Sequence, residues 1–301
     1  MIDLRLADYI ALEIYAKYLN KDFDYVSKDL CLINEYLTDT LKLIFESGID
    51  MPQWKTYSEE VSLKFSLNVM SIENLLNGTD LKSKKTKNKI IDISSIYILI
   101  RSLIENYAIF YYLFIEPKTN AEREFRFWIY KMSGLSQRQK LKVSTKEAKL
   151  KKEHERGEIE EVKLIIIASP FFNKIEKGVQ KKIRNHTSWN TPAHVYKNFE
   201  ELIKKSDLNG RLIFDQWKLY SNYVHSEFLS IIQIEHFYLN YNEQSQSRHE
   251  KIFLVTGILC RYIQNFNTVF KSAEIHFNTK SANLKEKIRL YANFINEAQN
   301  R

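Results

Sequence analysis

The sequence contains few of the residues that interrupt regular secondary structure. Only 7 glycines and 4 prolines occur among its 301 residues, too few for the many tight turns of a β-sandwich or a β-barrel. Long runs rich in Leu, Ile, Lys, Glu and Asn lie between these breakers. The composition therefore predicts an all-α, multi-helix bundle.

Cysteine is equally scarce, and the commonest catalytic and cofactor motifs are missing from the sequence. Cys31 and Cys260 match no metal or redox spacing, so we expect two buried, reduced thiols and a cytoplasmic location. None of the seven histidines belongs to an HxxxH, HExxH or Cys/His pattern, and GxxxxGK[ST], GxGxxG and GxSxG do not occur. We therefore predict no metal site and no cofactor.

Helical periodicity and the remaining breakers divide the chain into eleven predicted helices. They lie near residues 3–19, 24–47, 54–77, 90–115, 120–135, 137–168, 170–185, 196–206, 211–239, 249–279 and 283–299. A weak seam between residues 80 and 90 separates an N-terminal helical part, 1–80, from a larger bundle, 90–301. The alternative is one continuous domain.

The most apolar stretch includes RSLIENYAIFYYLFIEP, residues 101–117, and carries a pair of opposite charges. The segment 90–115 is long enough to span a membrane. However, Arg101 and Glu105 fall near its middle, and no second comparable segment is present to shield them in lipid. We therefore predict a buried central helix of a bundle and no membrane contact.

Arg101 and Glu105 share one face of this predicted helix, because side chains four residues apart are neighbours. A surface pair with the base first contributes only a few tenths of a kcal/mol. If the face is buried, both groups need further partners from other helices. Two interpretations remain: an ion pair that fixes helix packing, or a polar pocket that positions something chemical.

The predicted partner is the segment 215–237. Its apolar residues predict a core-facing stripe made of Trp217, Tyr220, Val224, Phe228 and Ile231 or Ile232. Polar residues lie beside this stripe: Lys218, Ser221, Asn222, His225 and Glu227. Ser221 and His225 are four residues apart and so share a helix face.

Basic residues cluster in three places, although the net charge is only +8. The clusters are residues 82–89, 138–152 and 181–184. Such runs are commonly solvated faces, and the alternative is contact with a phosphate-rich partner.

Four segments between Arg101 and Ser230 resemble a known family: RSLIENYAIFYYL, REFRFWIYK, SWNTPAHVYKNFEELIKKSDL and LYSNYVHSEFLS. This ordered set resembles the bacterial domain-of-unknown-function 5677 family, which is similar to the HEPN superfamily of helical bundles. Many HEPN proteins are metal-independent ribonucleases of toxin–antitoxin and phage-defence systems. The resemblance thus implies an RNA-acting protein with an HEPN-like bundle.

The resemblance also implies roles for particular residues. His225 would act as general acid or base, Arg101 or Lys218 would stabilise charge on the phosphate, and Glu105 would orient Arg101. The implied substrate contacts are Tyr220, Ser221, Asn222 and Trp189. The HEPN nuclease motif is an Arg, usually followed directly by a polar residue, and then a His separated from the Arg by four to six residues. This chain departs from it, with Lys218 where an Arg would fall and Leu219 at the polar position.

Two other functions are compatible with the same residues. One is a non-catalytic sensor or scaffold in which Arg101, Glu105, Tyr220 and His225 form a buried hydrogen-bonded network. The other is a pocket for a nucleotide or phosphate ligand at these four residues. A protein partner or a homodimer is compatible with each function.

Overall fold

The computed structural model describes residues 4–80, 89–185, 199–208 and 211–297. Thirteen α-helices form most of these residues: α1 (Leu4–Leu19), α2 (Phe23–Glu46), α3 (Gln53–Leu76), α4 (Ile93–Phe110), α5 (Asn120–Gln139), α6 (Lys146–Ala168), α7 (Lys177–Arg184), α8 (Phe199–Lys205), α9 (Arg211–Val224), α10 (Phe228–Leu239), α11 (Tyr241–Val269), α12 (Lys271–Thr279) and α13 (Ala282–Glu297). The predicted all-α, multi-helix fold is confirmed.

Short non-α elements link some of these helices. Strands β1 (Thr79–Asp80) and β2 (Lys89–Ile90) form a minimal antiparallel pair. A π-helical turn, Tyr111–Ile115, follows α4, and a 3₁₀ turn, Phe172–Lys174, precedes α7.

The helices belong to two compact units, and the first is the larger. It comprises Met1–Met51, Tyr57–Tyr111 and Ile203–Arg301. Within it α11 packs against α2, α12 and α13, and α4 packs against α9. Most apolar side chains of α4 are fully buried, including Ile96, Ile100, Leu103, Ile104 and Tyr107. The predicted buried central helix near 90–115 is therefore confirmed.

The second unit comprises Pro52–Thr56 and Tyr112–Leu202. In it α5 packs against α6. Its core contains Phe125, Ile129, Met132, Ile159, Val162, Ile166, Phe172, Val179 and Ile183. The division into units differs from the predicted seam at residues 80–90, because helices from both sides of that seam contribute to the first unit.

The start of α4 follows from local chemistry at Asp92. Its carboxylate accepts a hydrogen bond from the backbone N–H of Ser95 (3.0 Å) and another from the Ser95 hydroxyl (2.6 Å). This N-cap satisfies a backbone donor that the first helical turn leaves unpaired. Residue 92 therefore fixes where the central helix begins.

Several predicted boundaries were wrong; the predicted helix 137–168, for example, begins only at Lys146. The predicted helix 211–239 is interrupted after Val224, where Ser226 has a positive φ of 50°. The polar stretch 242–247, predicted as a loop, is helical because Asn240 caps α11 by accepting from the Glu243 N–H (3.3 Å). The predicted helix 249–279 breaks at Phe270, whose backbone is extended.

The interruption after Val224 also overturns the second half of the predicted apolar stripe. Tyr220 is fully buried, but Val224 and Phe228 are 41% and 79% exposed, and Ile231 and Ile232 are exposed as well. In one continuous helix these residues would lie on the same face as Tyr220. Because the helix breaks after Val224, α10 runs in a new direction and its residues no longer share that face. The prediction that they face the core was therefore wrong.

One helical segment within the described ranges is long and apolar enough to cross a membrane. It is Ile93–Ile115, and 56% of its most apolar 18-residue stretch is buried inside the protein. A mostly buried core helix has the same length and composition. The absence of membrane contact therefore remains a prediction.

Two helical glycines offer a matched test of packing. A Cβ at Gly157 in α6 would meet no atom within 4 Å, whereas one at Gly257 in α11 would overlap the Ile295 side chain and lie 3.0 Å from the Tyr291 carbonyl oxygen. We expect Gly157→Ala to raise the free energy of unfolding by about 0.5–1 kcal/mol. Gly257→Ala should lower it by about 1–3 kcal/mol. Urea denaturation followed by circular dichroism measures both, and equal shifts would contradict this packing.

Candidate functional site

The Arg101–Glu105 pair on α4 finds its partner in Trp217 of α9. The Arg101 Nε lies 3.1 Å from the Glu105 Oε1, and the same oxygen accepts a hydrogen bond from the Trp217 indole N–H (3.0 Å). The Arg101 guanidinium also lies over the Trp217 ring, 5.5 Å from its centroid. The predicted segment 215–237 therefore does supply a partner for the pair.

This three-residue cluster is only partly buried. The side chains of Arg101 and Glu105 are 19% and 30% exposed. The Glu105 carboxylate oxygen thus contacts both the Arg101 guanidinium and the Trp217 indole N–H, and the guanidinium makes a cation–π contact with the indole ring. The arrangement fixes the side chains of α4 and α9 against each other and leaves part of both charges accessible to solvent.

Tyr220 belongs to a different, buried cluster. Its ring stacks on Tyr97 of α4 (4.5 Å between centroids, 27° between planes), and its hydroxyl donates to the Gln216 side chain. Tyr223 packs edge-on against the same Tyr97 ring at 4.7 Å. Burial raises the pKa of Tyr220 well above its usual value. A fully buried hydroxyl of this kind is placed for packing rather than for contact with a substrate.

The polar residues predicted on α9 form one accessible strip, which we call the α9 polar face: Lys218, Ser221, Asn222 and His225. Lys218 and His225 are exposed, and Ser221 and Asn222 are half-buried. Positions three, four and seven residues apart share one helix face. These four predicted site residues are therefore brought together along a single accessible surface.

His225 lies at the C-terminal end of this face. Its backbone N–H still bonds to the Ser221 carbonyl (3.4 Å), and the chain then turns so that the Glu227 N–H bonds to the Asn222 carbonyl (2.9 Å). Ser226, between them, has a φ of 50°, an uncommon conformation for a residue with a side chain. The helix ends at Val224, so His225 lies in the turn and its side chain is exposed.

Arg101 and His225 do not meet through any hydrogen bond, ion pair or ring contact between residues that the structure describes. Arg101 contacts Trp217, which lies eight residues before His225, or about 12 Å along a helix axis. Lys218 is the predicted cation that shares a helix face with His225. The role predicted for Arg101 beside the histidine therefore remains a prediction that the contacts do not support.

Trp189, the remaining predicted substrate contact, lies outside the described residues, as do residues 82–88 of the first basic cluster. Part of the second cluster, 138–152, has a structural role. Lys152 donates to the carbonyls of Gln139 (2.8 Å) and Leu141 (2.7 Å) just after the C-terminus of α5, where a positive charge is favourable. Arg138 pairs with the buried Glu155 at 3.2 Å.

Other lysines of that cluster point to solvent. We call them the basic turn: Lys140, Lys142, Lys146, Lys149 and Lys151, all exposed around the α5–α6 connection. They are available to an anionic partner within the second unit.

Sequence reasoning missed the hydrogen bonds that Trp217, Gln216 and Lys251 make. Trp217 was assigned to the apolar stripe, although its indole N–H signalled that a buried acceptor would be needed. Gln216 and Lys251 gave no periodic signal in the sequence. Across the described ranges, no group of three His, Cys, Asp or Glu side chains is close enough to hold a metal ion.

The fold and the site define an all-α protein with a buried central helix and an accessible polar helix face. A family model described as a family of unknown function, DUF5677, matches residues 86–246, which is more than half of the chain. The chain therefore belongs to this family, as its motifs predicted. No curated protein and no solved structure matches it significantly.

Proposed function

We propose that the protein acts on RNA as an HEPN-like protein of bacterial defence or toxin type, in the cytoplasm and without a metal ion. The α9 polar face binds the phosphodiester backbone, and His225 transfers a proton to or from a ribose 2′-hydroxyl. The observation that supports this proposal best is the exposure of His225 at the end of that face. A histidine used only for packing would be sealed and fully hydrogen-bonded.

The chemistry of the face fits this task. An imidazole can both donate and accept a proton, as general acid–base catalysis requires. Lys218 is exposed on the same face, and its ammonium could stabilise charge on a phosphate. The basic turn of the second unit carries five exposed lysines, which form a separate surface for a polyanion whose affinity would fall as salt rises.

The decisive experiment replaces His225 with alanine. We expect the variant to cleave single-stranded RNA in the presence of a chelator at least about a hundredfold more slowly than the wild type. A matched control is His154→Ala, because His154 is an exposed histidine of α6 in the second unit, and it should cleave at the wild-type rate. Equal cleavage or equal cell toxicity of wild type and His225→Ala would contradict the catalytic role.

A non-catalytic sensor or scaffold is the second candidate, and the contact of Arg101 and Glu105 with Trp217 favours it. This contact is suited to holding two helices together. However, the predicted network of Arg101, Glu105, Tyr220 and His225 is not the one observed. Tyr220 bonds to Gln216 and His225 is exposed, and Trp217 is the residue that contacts Arg101 and Glu105. If the wild type cleaves no RNA and Arg101→Met changes only stability, the scaffold function is preferred.

A further inference from the structure

A lysine of α11, Lys251, is buried in the first unit, and the ion pair that it makes with the half-exposed Glu250 is a long one. The lysine side chain is 8% exposed. The ammonium has three N–H donors, yet its hydrogen bond is a long one to the Gln216 Oε1 (3.4 Å). That oxygen also accepts the Tyr220 hydroxyl. Among the described residues, Lys251 is therefore a cation with unused hydrogen-bonding capacity.

Its surroundings compensate for this burial only in part. The ammonium lies 5.4 Å and 5.8 Å from the ring centroids of Tyr97 and Tyr220. The nearest carboxylate, that of Glu250, is 3.9 Å away and 46% exposed, so solvent screens its attraction. Burial lowers the pKa of Lys251, and Glu250 raises it by a smaller amount. An anion placed against the ammonium would complete the site.

A recess opens beside Lys251 and has room for such an anion. We call it the Lys251 recess; its volume is about 200 Å³. Its apolar wall is formed by Leu212, Phe253, Leu254, Phe294 and Ile295. Its other lining residues are Tyr18, Gln216, Lys251 and the half-exposed Glu250. Small-molecule sites have this composition, but pockets for drug-sized ligands measure roughly 300–1,000 Å³. The ligand must therefore be small.

We propose that the Lys251 recess binds a small organic monocarboxylate, whose carboxylate contacts the Lys251 ammonium and whose short apolar body packs against Phe253, Leu254 and Phe294. The Lys251 ammonium balances one negative charge of a ligand while the half-exposed Glu250 carboxylate stays solvated, whereas a phosphate dianion would leave a further charge unpaired beside Glu250 and the apolar walls. The Gln216 side chain, which already holds Tyr220 and Lys251, keeps the ammonium in place. This site is separate from the α9 polar face and does not depend on activity toward RNA.

The test uses the full chain and defined probes. Hexanoate and phenylacetate are titrated calorimetrically near neutral pH, together with their neutral amides and with inorganic phosphate. We expect both carboxylates to bind and to raise the melting temperature, since they bind the folded state. The amides and phosphate should bind at least about tenfold more weakly.

Two variants locate the site, and a third serves as control. Lys251→Met removes the charge at similar length, and Leu254→Phe narrows the recess without touching the charge; each should weaken carboxylate binding at least about tenfold. Lys271→Met replaces an exposed lysine of α12 and should leave binding unchanged. If Lys251→Met does not fold, Leu254→Phe decides the outcome.

Three results would overturn the proposal. They are no carboxylate binding by the wild type, equal affinity for the carboxylates and their amides, and unchanged binding by Leu254→Phe. Preferential binding of phosphate would instead identify a different anion and would also reject the monocarboxylate. RNA cleavage measured on the same variants keeps the two proposals apart, because loss of carboxylate binding predicts no change in cleavage.

Discussion

Replacing Asp29 with alanine is expected to lower the free energy of unfolding by about 3–5 kcal/mol, because the change leaves a buried ammonium without its counter-charge. Asp29 of α2 is 4% exposed. Its carboxylate pairs with the Lys287 ammonium (2.7 Å) and accepts a hydrogen bond from the Tyr291 hydroxyl (3.0 Å), both from α13. Burial lowers the pKa of Lys287, but hydrogen bonds to Asp29 and Tyr25 raise it more, so its net pKa is raised.

Urea denaturation measures this effect, and two further variants make the result specific. Glu46→Ala breaks the exposed Lys42–Glu46 pair of α2 and should change stability by less than about 1 kcal/mol. In the double variant, Lys287→Met removes the ammonium that Asp29→Ala strands, so the double variant should be more stable than Asp29→Ala alone. A loss for Asp29→Ala no larger than for Glu46→Ala would show that the pair is not buried in solution.

Raising the pH above about 10 should unfold the protein steeply, because many buried tyrosines must stay protonated in the folded state. Eight tyrosines are at most 4% exposed and have a pKa raised by burial: Tyr36, Tyr97, Tyr107, Tyr112, Tyr220, Tyr223, Tyr262 and Tyr291. Above the ordinary tyrosine pKa the unfolded chain releases these protons and the folded chain keeps them. The unfolded state therefore binds fewer protons, and stability falls as pH rises.

Each such tyrosine contributes up to about 1.4 kcal/mol per pH unit above pH 10. Tyr262→Phe removes one of them, so the fall of stability with pH should be shallower by about that amount. Tyr9→Phe is the matched control, since Tyr9 is 67% exposed, and it should leave the slope unchanged. Urea denaturation at a series of alkaline pH values measures the slopes, and tyrosinate absorbance reports ionisation. Ionisation of all tyrosines before unfolding would contradict the buried core.

Much of the candidate site was predictable because it depends on spacing within one helix. Four-residue spacing placed Arg101 beside Glu105, and three-, four- and seven-residue spacing placed Lys218, Ser221 and His225 on one face. The partner of the ion pair was not predictable at residue level. Trp217 and Glu105 lie on different helices and are 112 positions apart in the chain. No local sequence pattern encodes which side of α9 faces α4.

The predicted convergence of Arg101 and His225 illustrates the same limit. It required α9 to place its C-terminal end beside Arg101, but Arg101 contacts α9 at Trp217 and Tyr97 contacts it at Tyr220 and Tyr223. The two helices therefore run antiparallel, and His225 lies beyond the level of Tyr97 rather than at that of Arg101. Helix direction at an interface is set by packing of the whole unit, not by either sequence alone.

The sequence by itself determined that the chain is helical, that its most apolar helix lies in a core, and that its motifs belong to one family. Scarcity of breakers and helical periodicity suffice for this, because they act over a few residues. Only the tertiary structure decided where α9 ends, which residue completes the Arg101–Glu105 pair, and that Lys251 is buried beside an open recess. These features depend on which distant helices exclude water from a given side chain, and exclusion of water is a property of the packed unit.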